Sequence, residues 1–366
     1  MSLTIDITGL PADRLLFAPS PLAELTAVLH LLAEPGHHPT LHGWATATAG
    51  ALKPELADRL DEADFLWRYS RADFLLPSRP GATLAEELDA VDRVDDEQYV
   101  AAALLTSCGS DRLSFRPAAS PLSDAGAKER ARELANARGP RQAAFTDRLL
   151  TDPTTVRALV RRLLEDCEAA FFADTWRQLV PQLAADARQK ADLLARHGLA
   201  EALAAVSGAV ALEQTAAGAR RILVDKLQDN TVSATAAGGI TFVPTAFGRP
   251  HLVAVHARGW RPVLQYPVAD AAAGEPVSLA VVQQRLEALA HPVRLRLART
   301  IARGPHTTGE LAAAWNLSAP EVSRHLAVLR RAGLLLTRRR GRYVLHSLDL
   351  GSSARLGADL VDAVLR

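Results

Sequence analysis

The 366-residue sequence predicts an α+β protein in two parts: a long, mostly helical amino-terminal domain with a small β-sheet, and a carboxyl-terminal domain of short helices closed by a hairpin. Three observations predict it. Apolar residues recur at helical spacing through residues 36–206. Short apolar or alternating runs, separated by glycine and proline, follow Ser207. From Ala288 to Ser347, capping signals and stop residues divide short helical stripes ahead of an arginine-rich turn. The expected domains are 1–270 and 277–366, with a small-residue linker over 268–276.

Composition narrows the class. Hydrophobic residues make up 48%, enough to bury a core in each part. No apolar run approaches the ~18 residues of a membrane span. The amino terminus, MSLTIDITGLPADRLLF, lacks the basic region and long apolar stretch of a signal peptide, so a cytoplasmic location is expected. Cys108 and Cys167 lie outside any C-x-x-C spacing and read as reduced thiols. The 38 arginines against four lysines reflect a GC-rich genome rather than a special chemistry. Charge is unevenly placed: residues 277–366 carry a net +8 and residues 1–276 a net −7. A basic domain joined to an acidic one points to a polyanion partner for the basic part alone.

Leu3, Ile5 and Ile7 alternate with polar residues as in a half-buried strand, and Leu15–Phe17 is a second apolar piece. Ser20 and Pro21 then read as an N-cap and first helical residue, opening a helix that runs to about Leu32 and stops at Pro35-Gly36. Helical pattern continues to about Val206, with breaks at 77–80, 107–111 and 117–121, and Pro181 is expected to kink or split the long segment Pro153–His197. Strands are expected at 222–224, 239–243, 252–255 and 262–266, with the amino-terminal strand joining their sheet.

The carboxyl-terminal part is the more specific. Leu279, Val282, Leu286 and Leu289 share a helical face, and a second helix runs from about Val293 to Ala302 before Gly304-Pro305. Thr307 and Glu310 form a capping box for the next helix, anchored by Leu311 and Trp315. Ser318 and Glu321 suggest another, with Pro320 tolerated in the first turn; Val322, Leu326 and Leu329 make its buried face and Gly333 its stop. The outward face then presents Ser318, Pro320, Ser323, Arg324, Ala327 and Arg331. Residues near the amino end of such a helix reach base edges in a major groove, and Arg324 can pair with guanine or hold a phosphate. His325, at the flank of the stripe, reads as a structural hydrogen-bonding residue. Leu334–Leu336 and Tyr343–Leu345 form a hairpin around Arg338, Arg339, Arg340 and Arg342, placed to meet phosphates or a minor groove. This order is that of a winged helix-turn-helix, and double-stranded DNA is the expected partner.

The run LSAPEVSRHLAVLRRAGLL followed by RRRGRYVLHSL resembles the ArsR-type winged helix-turn-helix family over residues 286–348. The resemblance implies a homodimeric transcriptional repressor on palindromic operators, with dimer contacts from the flanking helices, here Leu279, Val282 and Leu286 with Leu356, Leu360 and Val364. Metal-sensing members carry cysteines where this chain has Ala312, Ala313 and Ala314, and the closing helix has no histidine, so metal is not expected at those family sites. The amino-terminal part, at RLLFAPSPLAEL and TFVPTAFGRP…WRPVLQYPV, is similar to an uncharacterised domain fused to ArsR-type domains in actinobacterial regulators.

Elsewhere His30, His37, His38 and His42 crowd together in sequence, and His251 and His256 lie on an expected strand. Their spacings match no metal pattern, so they read as solvated loop residues with no metal. Nucleophile-elbow, dinucleotide, phosphate-loop and zinc-protease motifs are absent, so neither an enzyme nor a cofactor is expected. Trp44, Trp67, Trp176 and Trp260 read as core or as the lining of a pocket for a small-molecule effector. The alternative for the amino-terminal domain is an oligomerisation scaffold without ligand.

Overall fold

The computed structural model describes residues 2–108, 120–215, 218–226, 230–257, 260–268, 277–340 and 343–365, and divides into two compact units, Met1–Asp270 and Ala271–Arg366. The first unit contains strands β1 (Ser2–Asp6), β2 (Leu15–Phe17), β3 (Val210–Gln214), β4 (Arg220–Asp225), β5 (Asn230–Ser233), β6 (Ile240–Thr245), β7 (Val253–Val255) and β8 (Val263–Pro267). Its helices are α1 (Pro21–Ala33), α2 (His42–Ala51), α3 (Pro54–Ala63), α4 (Leu84–Asp92), α5 (Asp96–Ser107), α6 (Ala125–Arg138), α7 (Pro140–Thr151), α8 (Pro153–Cys167), α9 (Ala173–His197) and α10 (Leu199–Val206). Helices outweigh strands, as the α+β reading expects.

Leu3 and Ile5 are buried and Thr4 and Asp6 less so, as alternation requires. They lie opposite Val224 and Ile222 in an antiparallel pairing of β1 with β4, while β5 pairs parallel to β1 on its other side. The amino-terminal strand does join a sheet, but the described residues of the first unit form two sheets rather than one, ordered β3-β4-β1-β5 and β2-β6-β8-β7. The reason is Leu15–Phe17, which pairs parallel with Ile240–Phe242 and seeds the second sheet, with Phe17 and Phe242 stacked at 4.7 Å. One core lies among the helices, and a second holds Leu3, Ile5, Ile222, Val224, Phe242 and Leu264 against Ala187, Leu199 and Leu203. Trp67 is fully buried in the helical core, and Trp44, Trp176 and Trp260 pack against it.

The central helix is α1, buried on all sides from Pro21 to Leu31. Such a helix needs its end groups satisfied from within the fold. Ser20 caps it as expected, its Oγ accepting from Ala23 N at 3.0 Å, and donates in turn to Glu87 Oε2 at 2.9 Å. Leu22 N also donates to Glu87 Oε2 at 2.7 Å, and Gly81 N to Oε1 at 2.9 Å. A carboxylate from α4 thus sits at the positive end of α1, where the helix dipole favours it. Burial outweighs those bonds and pushes the Glu87 carboxyl up to about 7.

A carboxyl whose folded value is raised makes the folded state bind the extra proton, so its stabilising contribution is full below the unfolded value of about 4.5 and is lost as pH rises through about 7. Glu24, pushed up to about 6 by burial, acts in the same sense. Glu87→Gln removes the Glu87 titration. Between pH 4.5 and 7 the variant is expected to lose less urea stability than the native chain, by about 3 kcal/mol at an estimated 1.4 kcal/mol per pH unit of displacement. Parallel stability curves across that window would contradict this.

The segment Pro153–His197 is not split at Pro181. Helix α9 runs through the proline, and the irregularity is a π turn at Glu168–Phe172 between α8 and α9. Pro181 is exposed, so water can satisfy the carbonyl that its missing N–H leaves open. Cys108 and Cys167 are buried free thiols, pushed up to about 11 and about 12 by burial. Among the described residues no helix is long and apolar enough to cross a membrane. The expected breaks at 109–111 and 117–119, and the linker over 269–276, lie outside the described residues.

The histidines depart from the sequence reading. His42 is exposed as expected, but His30 and His38 are 4% and 1% exposed. His251 and His256 flank β7 rather than lying on it. His30, His37, His38 and His251 pack ring against ring, with every pair of ring centroids between 4.8 and 6.4 Å apart. The fold buries and groups side chains that sequence spacing leaves unrelated.

The second unit contains α11 (Leu279–Ala290), α12 (Pro292–Ile301), α13 (Thr308–Trp315), α14 (Ala319–Arg331), β9 (Leu335–Arg340), β10 (Tyr343–Leu348), α15 (Leu350–Ala354) and α16 (Leu356–Leu365). Its core gathers Ala288, Leu297, Ile301, Leu311, Val322, Leu326, Leu329, Leu334 and Leu335.

Candidate nucleic-acid interface

Two helices and a hairpin make the candidate surface, and local sequence fixes each. The Thr307–Glu310 capping box is complete: Glu310 N donates to Thr307 Oγ1 at 3.2 Å and Thr307 N donates to Glu310 Oε2 at 2.7 Å. Those Thr307 bonds hold the Glu310 carboxyl below the usual carboxylate range. Helix α13 ends at Asn316, in the left-handed region at φ 51°, where asparagine is tolerated. Leu317 N then reaches back to Ala312 O at 3.0 Å, which closes the turn into α14. At the start of α14 only half of the expected second box forms, Glu321 N donating to Ser318 Oγ at 3.3 Å. Gly333 at φ 68° ends it, with Leu334 N bonded to Leu329 O at 3.0 Å.

Val322, Leu326 and Leu329 hold the inner face of α14 in the core. Ser318, Pro320, Ser323, Arg324 and Arg331 are exposed on the outside, and Ala327 is half-buried at its edge. His325 stands at the flank, its ring 5.0 Å from that of His291, and burial holds its imidazole below the ordinary value. Leu311 is buried as expected, but Trp315 is 36% exposed and donates its indole N–H to Thr300 Oγ1 at 3.1 Å, a rim residue rather than a core anchor.

Strands β9 and β10 pair antiparallel, Arg340 opposite Tyr343 and Arg338 opposite Leu345, and Arg338, Arg339 and Arg340 are exposed. Arg342 lies outside the described residues. A feature that sequence reasoning missed fixes the hairpin to the helices. His306 and His346 exchange both backbone bonds, His306 N to His346 O at 3.0 Å and His346 N to His306 O at 2.8 Å. The wing is thereby tied to the chain just ahead of α13, and no residue type announces such a bridge.

The flanking helices divide their apolar residues. Val282 is fully buried inside the unit and offers no surface to a partner, whereas Leu279 and Leu286 are 55% and 41% exposed. The inner face of α11 instead uses Arg285, which pairs with Asp359 of α16 at 2.6 Å, both nearly buried. On α16, Leu356 and Leu360 are half-buried and Val364 is 60% exposed.

Helix, turn, helix and basic wing together define a protein of the winged helix-turn-helix class. Residues 289–338 match a helix-turn-helix domain. Residues 1–272 match a family of unknown function (DUF5937), and the chain belongs to that family. It is 44% identical over 71 residues to the biofilm growth-associated repressor of Agrobacterium fabrum, a match covering 19% of this chain and 61% of that protein. It is 30% identical over 63 residues to the transcriptional repressor SdpR of Bacillus subtilis, covering 17% of this chain and 70% of the other. A solved structure titled as a possible transcriptional regulator for arsenical resistance aligns at 39% identity and TM-score 0.20, over 20% of this chain and 78% of that one.

Proposed function

We propose that the protein is a sequence-specific regulator of transcription that binds duplex DNA as a homodimer and acts as a repressor. The observation that carries this reading is the exposed polar face of α14, with Ser323 and Arg324 near its amino end, on the same small unit as an exposed arginine hairpin. Ser318, Pro320, Ser323, Arg324, Ala327 and Arg331 face the major groove, and Arg338, Arg339 and Arg340 meet the phosphates beside it. The net +8 of residues 277–366 supports a polyanion partner. Repression is supported by the names of the Agrobacterium and Bacillus relatives. Exposed Leu279, Leu286 and Val364 supply the apolar surface for pairing with a second copy, joined by half-buried Leu356 and Leu360 on the same helix as Val364. Ala312, Ala313 and Ala314 offer no ligand atom for metal sensing on α13.

The test is Arg324→Ala against an operator selected by the native chain from random duplexes. A bidentate guanine contact is worth ~1–3 kcal/mol, so affinity for the operator is expected to fall about 5- to 150-fold while random duplex binds nearly as before. Fluorescence anisotropy on both duplexes checks it, and an equal loss on the two would remove Arg324 from base reading.

A further inference from the structure

We propose that His30, His37 and His251, with His38 beside them, bind a divalent transition-metal ion of the zinc, cobalt and nickel class. The site lies wholly within the first unit and does not depend on the DNA-binding reading. His30 stands in the last turn of α1, His37 closes the short turn Pro35–His37 that follows, and His251 comes from the loop between β6 and β7. One ring nitrogen from each lies within 4.8 Å of the others. The Nε2 atoms of His30 and His251 are 3.0 Å apart. Two ligands on a tetrahedral ion with bonds of ~2.0 Å stand about 3.3 Å apart, so this pair already has nearly the edge length of a coordination polyhedron.

The ring nitrogens left over point the same way. His30 Nδ1, His37 Nδ1 and His38 Nε2 are buried without a hydrogen-bond partner. Buried polar atoms are nearly always paired, and leaving one unpaired is costly. His38 Nδ1 bonds to the Arg249 carbonyl oxygen, so it is the protonated nitrogen and Nε2 keeps a lone pair. That is the arrangement by which a backbone carbonyl orients a metal-ligating imidazole. With His30 ligating through Nε2, its Nδ1 carries the ring proton, and the lone pairs left for an ion are on the unpartnered His37 Nδ1 and His38 Nε2.

The electrostatics select the ion. The ligand atoms on offer are the imidazole nitrogens of His30, His37 and His251. The set holds no carboxylate, so hard ions such as magnesium and calcium are disfavoured and imidazole-preferring ions favoured. Buried Arg71 acts on both His30 and His38 and opposes a bare dication, which favours an anion such as hydroxide or chloride in the remaining position. His37 and His251 are only half-buried, which leaves the ion a way in.

The full-length chain, stripped with chelator, is titrated with cobalt(II) and then with zinc(II). Expected are visible d–d bands saturating at one ion per chain, bleached by zinc. Metal at 100 times its Kd is expected to raise the Tm of the first unit by about 5 °C or more. His37→Gln and His251→Gln, at half-buried positions, should keep the native circular dichroism and weaken cobalt binding at least tenfold, while exposed His42→Gln leaves it unchanged. Absence of both the bands and the Tm rise in the native chain overturns the site, as does cobalt binding that survives His37→Gln and His251→Gln.

Discussion

Replacing Arg338, Arg339 and Arg340 together by alanine is expected to weaken binding to every duplex, selected or random, by roughly 100-fold at physiological salt. Each phosphate contact contributes about −0.9 to the slope of log K against log salt, so three lost contacts flatten that slope by about 3 and cost about two decades near 0.15 M. The arginines are exposed on a hairpin strand and make no part of the core, so folding should be untouched. Anisotropy titrations at several salt concentrations give both numbers. A loss confined to the selected operator, or an unchanged slope, would show that the wing does not hold phosphates.

The second large effect is on the scaffold. Leu329→Ala leaves a cavity at a fully buried position where α14 meets the rest of the second unit, and is expected to cost about 2–5 kcal/mol. A domain of this size is stabilised by only ~5–15 kcal/mol in total, so the reading helix should open far more often. Hydrogen exchange at α14 amides measures the change against Ser323→Ala, an exposed position expected to stay within about 0.5 kcal/mol. Equal protection in the two variants would mean that Leu329 does not anchor the helix.

The second unit was legible because its determinants are local. Thr307 with Glu310, Ser318, and Gly333 each fix the backbone within a few residues of themselves, and their structures follow. The faces of α11 are less legible, because a helical wheel places Val282 with Leu279 and Leu286, while the unit buries Val282, pairs Arg285 with Asp359 on its inner side, and leaves Leu279 and Leu286 outside. In the first unit, Ser20 announced α1, but its reciprocal partner Glu87 is 67 residues away. Strands β3 and β5 are partly exposed and carry little apolar alternation, so pattern alone missed them. The histidine group was illegible for the same reason of distance. His251 reaches His30 across 221 residues, through sheet pairings such as Leu15 with Ile240 that no local pattern encodes.

The π turn between α8 and α9 has a consequence for how the first unit can be divided. Val156, Val160 and Leu164 before it, and Trp176 and Leu179 after it, face the helical core; farther along the same rod Ala187, Leu193 and Leu194 face the sheets. One continuous beam is therefore a wall of two rooms. Cutting the chain anywhere between Pro153 and His197 would strip both pieces of a wall and leave each with a bare apolar stripe. Neither core is a spare part: expressed alone, each would meet its neighbours as an adhesive rather than as a domain.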